Sequence, residues 1–281
     1  MIEIFLLIIA IAFICEWIDA GLGMGYGTIL SPILIMMGFS PLISVPSILI
    51  TQAIGGLSAS FYHHRHGNVC FSIKSTNPVL IFKKIKEYGP VNAFKRGFSE
   101  DLKIVFFITS LGIIATIFAA LVAGNIPKNI LSMYIAIIVL IMGLLIGFGF
   151  TFTYSTAKMF IVGIVSAFNK GISGGGFGPL VTGGQVTLEQ DHKKAIGCTT
   201  GAEFPICIAG FITYLIIKGF PGWELILPLG TGALFGGIIG PLTTKKINRK
   251  ALKVIVALLL IVLGTLTLLK IKGLITLNIS F

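Results

Sequence analysis

The chain has 281 residues, of which 55% are hydrophobic and only 11% charged, and its mean hydropathy is +1.00. A soluble domain carries about one quarter charged residues, so the composition excludes a soluble globular protein and implies an all-α polytopic membrane protein. The net charge of +11 is what basic loops facing anionic lipid produce, and no nucleic-acid partner is expected from it.

Apolar runs between breakers predict helices over 4–20, 26–38, 42–62, 104–124 and 129–149, followed by 157–170, 177–187, 194–217, 223–243 and 251–271. A bilayer span needs about 20 residues, so the shorter runs that flank the two Gly-rich breaks are expected to be half-helices. Met1-Ile2-Glu3-Ile4 lacks a basic segment, and the first helix is therefore expected to be retained rather than cleaved. Cys15, Cys70, Cys198 and Cys207 show no Cys-x-x-Cys spacing and read as packing thiols.

The second series repeats the first at a constant offset of 151 residues (23 to 174). Gly23, Gly25 and Gly27 fall on Gly174, Gly176 and Gly178; Trp17 and Tyr26 fall on Phe168 and Phe177; Ser31 falls on Thr182 and Gln52 on Glu203. Residues 1–150 and 151–281 are thus read as two transmembrane repeats, each a Gly-broken helical hairpin plus three transmembrane helices. Lys and Arg concentrate in 64–103 (Arg65, Lys74, Lys83, Lys84, Lys86, Lys95, Arg96, Lys103), in 244–253 and at Lys193 and Lys194, whereas the turns near 124–129 and 218–223 carry only Lys128 and Lys218. With the basic loops inside, the repeats are inverted in topology and both termini lie outside a cytoplasmic membrane. Phe-Lys-Lys-Ile-Lys at 82–86 reads as an amphipathic segment lying on the lipid.

The breaks carry the chemistry. Glycine admits positive φ and close backbone approach, and each half-helix after a break starts with N–H groups that lack intrahelical partners, where the dipole also favours an anion. Two such starts converging near the midplane predict one small-anion pocket lined by Gly23, Gly25, Tyr26 and Gly27 and by Ser173, Gly174, Gly175, Gly176 and Phe177; close helix packing is the competing reading of the glycines. Asp19 and Lys170 are equivalent positions just before the breaks, and either an ion pair or substrate binding by Lys170 fits them. Thr51 and Gln52 lie about 15 Å into their span, at midplane depth, and Glu203 lies at the same depth beside Thr199 and Thr200. Thr51, Gln52 and Thr200 are candidate substrate contacts, and Glu203 fits coupling, a substrate contact or a structural hydrogen bond. Glu203, Asp19 and Glu16 are the candidates for a coupling proton or cation. Expected partners are thus a small anionic substrate, a coupling ion and membrane lipid, with a homo-oligomer compatible; no cofactor and no metal is expected. His63, His64 and His66 read as a solvated helix end.

Gly171-Ile-Ser-Gly174 matches the Gly-x-Ser-Gly nucleophile pattern of rhomboid intramembrane proteases, but a serine nucleophile needs an intramembrane base and each histidine falls at a predicted span end or in a loop. An anion channel is the other alternative to a carrier. At Asp19-Ala-Gly-Leu-Gly-Met-Gly-Tyr-Gly-Thr28, with Pro32 following, and at Gly174-Gly-Gly-Phe-Gly-Pro179, the chain resembles the TauE/SafE family, the sulfite exporter or toluene-sulfonate uptake permease superfamily. That resemblance spans nearly the whole chain. It implies a secondary transporter, not an enzyme, that moves a small sulfur-containing anion such as sulfite or an organosulfonate.

Overall fold

The computed structural model describes residues 2–72, 97–148, 156–187, 191–244, 246 and 248–275. The amphipathic segment read at 82–86 lies outside these residues. The fold is all-helical among them: α1 (Ile2–Leu22), α2 (Tyr26–Met36), α3 (Pro41–Arg65), α4 (Glu100–Gly124), α5 (Lys128–Gly147), α6 (Thr156–Ser173), α7 (Phe177–Thr187), α8 (His192–Lys218), α9 (Trp223–Thr243) and α10 (Arg249–Ile271). Seven of these, α1, α3, α4, α5, α8, α9 and α10, are long and apolar enough to cross a membrane. The protein is a multi-pass helical membrane protein.

Local chemistry explains where helices begin and end. Ser99 accepts a hydrogen bond from the Leu102 N–H ahead of Glu100 and Asp101, and Asn248 does the same for Ala251. Pro41 opens α3 at a position whose N–H needs no partner. α1 runs longer than the half-helix expected over 4–20: its helix reaches Leu22 and stops only where Gly23 turns to φ +76°. Gly174 has the same φ of +76°, and Gly25 and Gly176 are both left-handed at +142° and +82°. The repeated spacing thus encodes a repeated backbone break.

The helices pack in matching pairs. α1 lies on α9 and α6 on α4; α3 touches α9 and α8 touches α4; α3 meets α8, and α5 meets α10. At one end of the bundle Val69, just beyond α3, fills the space over Gly197 of α8, the Cys70 N–H donates to Asp101 of α4 (2.8 Å), and Asn68 donates to the Pro241 carbonyl of α9 (3.2 Å). The end of α3, the starts of α4 and α8 and the end of α9 therefore lie together. Arg65, Lys103, Lys193, Lys194 and Arg249 flank this end. At the other end Lys270 donates to the Met36 carbonyl that closes α2 (2.7 Å).

Large apolar side chains such as Ile114, Phe118, Ile216 and Leu258 point outward, as lipid contact requires, and small residues hold the inner contacts. At Gly264 a Cβ would sit 2.9 Å from the Leu140 nitrogen and 3.0 Å from the Ala136 carbonyl oxygen, main-chain atoms of α5 that no rotamer change can move. Gly264→Val is expected to cost about 1–3 kcal/mol by overpacking, read as a lower midpoint of heat denaturation in detergent. An unchanged midpoint would show that α10 and α5 are not tightly joined.

Candidate functional site

α1 and α6 deliver Asp19 and Lys170 to their last turns, and the two breaks then cross one another. The crossing is made backbone to backbone: Gly27 lies on the Gly174 carbonyl, Gly175 on Thr28, and Gly178 on the Gly23 carbonyl. Hydroxyls pin it from both sides. Ser31 of α2 donates to the Ser173 carbonyl (2.5 Å) and its equivalent Thr182 of α7 donates to the Gly23 carbonyl (3.1 Å).

Beside the crossing runs a buried polar chain. The Tyr26 N–H, first of α2, donates to Asp19 Oδ1 (3.2 Å), so a carboxylate sits on the positive end of that half-helix. Gln52 Nε2 donates to Asp19 Oδ2 (3.3 Å), which leaves Gln52 Oε1 to accept from Lys170 Nζ. Lys170 Nζ also pairs with Glu203 Oε1 at 2.6 Å. Asp19, Gln52, Lys170 and Glu203 are all buried. The ammonium stands at the C-terminal end of α6, where the helix dipole favours a cation. Its two hydrogen-bond partners, Gln52 and Glu203, come from the two halves, and with Asp19 beyond Gln52 the chain joins α6, α3, α8 and α1.

Several expectations change here. An Asp19–Lys170 ion pair, one of the two readings of these equivalent positions, is not made directly: the carboxylate that reaches Lys170 is Glu203, with Gln52 bridging to Asp19. The N–H groups expected to be open to an anion are, at Tyr26, Gly175 and Gly176, bonded to Asp19, the Ser173 hydroxyl and the Thr28 hydroxyl. His63 is not at a solvated helix end: it is fully buried, accepting from Asn68 at Nδ1 (3.0 Å) and therefore donating from Nε2 to the Ala20 carbonyl (2.9 Å).

The remaining candidates cluster around this chain. Tyr26 donates its hydroxyl proton to Thr51 Oγ1 (2.8 Å), and Thr51 donates onward to the Ser47 carbonyl (2.7 Å). Thr200 donates to the Ile196 carbonyl of its own helix (2.9 Å). Ser173 donates to the Asn169 carbonyl (2.8 Å), a hydrogen bond to main chain rather than to a base. Glu16 is fully buried one turn before Asp19, and neither carboxyl oxygen has a hydrogen-bond partner.

Two residues escaped the sequence reading. Asn169 donates to the Gly175 carbonyl (3.0 Å) while accepting from the Tyr134 hydroxyl (2.9 Å), which locks the second break. Thr28 accepts the Gly176 N–H (2.9 Å). Asn169 falls on Ile18 at the repeat offset, so no symmetry signal marked it. Ser31 and Thr182 did carry one, a hydroxyl at both equivalent positions.

Charge adds a constraint. Within this buried cluster Glu16, Asp19 and Glu203 face a single ammonium, Lys170. Buried charges persist when paired, so full ionisation leaves two negative charges that call for protons or a cation.

The family described as Sulfite exporter TauE/SafE matches residues 8–75 and 89–267 of the chain, a stretch that takes in both breaks and the polar chain between them. A protein of Bacillus subtilis (strain 168), described as probable membrane transporter protein YtnM, is 21% identical over 274 residues, covering 92% of this chain and 80% of that protein. No solved structure matches the chain.

Proposed function

The chain belongs to the sulfite exporter TauE/SafE family, a family of membrane transporters, and from that premise we propose that it is a secondary carrier of a small sulfur-containing anion. Sulfite or an organosulfonate is the substrate class, and a proton or another cation is moved with it. The observation that carries this reading is the buried Lys170 ammonium, held at the crossing of the two breaks by Glu203 and by Gln52. An oxyanion competes with the Glu203 carboxylate for the same donors. Gln52, Thr51, Thr200, Ser173 and the glycines of both breaks would surround it.

The transport cycle follows from the symmetry of the packing. The proposed repeats, 1–150 and 151–281, are inverted, a reading supported by the meeting of the α3 end with the α8 start and of the α9 end with the α4 start. Both hairpins then turn back inside the membrane from opposite faces. Rocking one half against the other exposes Lys170 alternately to the two sides. The basic end faces the cytoplasm by the positive-inside rule, which places the start of α1 and the end of α10 outside a cytoplasmic membrane. An anion channel shares this site; obligatory counter-transport separates the two, because a channel does not exchange labelled for unlabelled anion against a gradient.

Purified protein in detergent is expected to melt at a higher temperature in sulfite or sulfoacetate than in equal chloride, since a ligand that binds only the folded state stabilises it by mass action. Stabilisation by cations or lipids alone would refute the anion reading.

A further inference from the structure

The two halves solve one packing problem with different chemistry. In the second half, α6 is wedged between α8 and α4 by hydrocarbon: Ile206 of α8 and Ala167 of α6 fill the space facing Gly112, where an added Cβ would strike the Ile206 side chain and lie 3.5 Å from Ala167 Cβ. In the first half, α1 is wedged between α3 and α9. At the repeat offset Ala167 becomes Glu16 and Ile206 becomes Gly55. The Glu16 carboxyl lies against Gly55, 2.5 Å from where a Cβ on that residue would be, and its own Cβ lies 2.8 Å from a Cβ built on Gly236 of α9. The bulk has moved from one helix to the other while the space stays filled.

The fold therefore needs a filler at this place, and an aliphatic one serves it. A carboxyl is a costly choice, because an ionised group buried without a partner is among the least favourable arrangements a membrane interior can hold. Facing Glu16 electrically are Cys15 and Asp19 of α1, Tyr26 of α2, Lys170 of α6, and Glu203 and Cys207 of α8. Lys170, the one cation among them, is hydrogen-bonded to Glu203 and Gln52. A hard metal cation needs a shell of several oxygen ligands, and neither Glu16 oxygen has a polar partner. A proton needs only the carboxylate.

We infer that Glu16 is the proton carrier of the transport cycle, an assignment that rests on the carrier reading above. The carboxylate takes one proton from water when the site opens to one side, crosses as the neutral acid, and releases the same proton to the other side. Only the O–H bond forms and breaks. Glu203 and Asp19 keep the role of holding Lys170 and Gln52 in place.

Two measurements on the full-length protein test this. The first is infrared difference spectroscopy across a pH titration in lipid, without substrate. The protonated-carboxyl band that titrates in the wild type is expected to be missing in Glu16→Gln, and its persistence unchanged would overturn the assignment. The second uses proteoliposomes and labelled sulfite. The double variant Glu16→Ala/Gly55→Ile copies the Ala167/Ile206 packing, so it is expected to keep the wild-type melting temperature while losing the acceleration of flux by an imposed pH gradient. Flux in the double variant that still follows the pH gradient, or wild-type flux that follows sodium instead, would also overturn it. A wild type that moves no sulfite yet shows the Glu16 band would remove the sulfite reading and leave the proton site standing.

Discussion

Lys170→Met is expected to abolish the proposed anion flux and to destabilise the protein by about 3–5 kcal/mol, the usual cost of leaving one partner of a buried ion pair uncompensated. Two groups lose their donor at once: the Glu203 carboxylate, paired at 2.6 Å, and Gln52 Oε1. Gln52 is itself tied to Asp19, so the loss spreads toward the start of α2. Adding Glu203→Gln removes the stranded charge. The double variant Lys170→Met/Glu203→Gln should recover most of the melting temperature while remaining unable to transport. Heat denaturation in detergent and flux in proteoliposomes read the two effects separately. Normal flux in Lys170→Met would show that the anion does not depend on this ammonium, and the site would have to be sought elsewhere.

The second large effect is steric. A Cβ on Gly27 would overlap the Gly174 carbonyl oxygen, and the next atoms it meets are the carbonyl carbon of Gly174 and the Cα of Gly175. All are main chain, so relief requires the two breaks to separate. Separation stretches the Ser31 to Ser173 and Gly176 to Thr28 hydrogen bonds that pin the crossing. Gly27→Ala is accordingly expected at or above the upper end of the range of about 1–3 kcal/mol seen for overpacking, with loss of transport. Gly163→Ala is the matched control: it lies within α6 with nothing within 4 Å of an added Cβ. There the change is expected to be neutral or to stabilise by about 0.5–1 kcal/mol, the helical gain of Ala over Gly. If the two variants melt alike, the breaks are not in the close contact described.

The glycine clusters carry their structural meaning in the sequence itself. Their spacing announced two breaks, and their equivalence at the repeat offset announced the same backbone twice, which Gly23 and Gly174 bear out with equal φ. Both readings of the glycines had a basis, for the turns need positive φ at Gly23, Gly25, Gly174 and Gly176, while Gly27, Gly175 and Gly178 are needed for contact. His63 went the other way. A histidine in a basic stretch reads as solvated, yet the fold carries the Ala20 carbonyl and Asn68 to its two nitrogens.

The sequence by itself determined the solvent of this protein, six of the seven long helices among the described residues, and the places of the two Gly breaks, while α1 runs longer than its apolar run announced. These follow from apolar run length, from glycine's freedom at positive φ and from a repeat that needs no alignment gap. Each is a local or periodic property of the chain, so it is written in consecutive residues. Tertiary structure alone decided which acid holds Lys170, that Gln52 bridges to Asp19, that Asn169 and Thr28 lock the second break, and that Glu16 stands unpartnered where Ile206 fills the other half. Those outcomes depend on side chains far apart in sequence meeting within about 3 Å, the reach of a hydrogen bond, and no run of neighbouring residues records that distance.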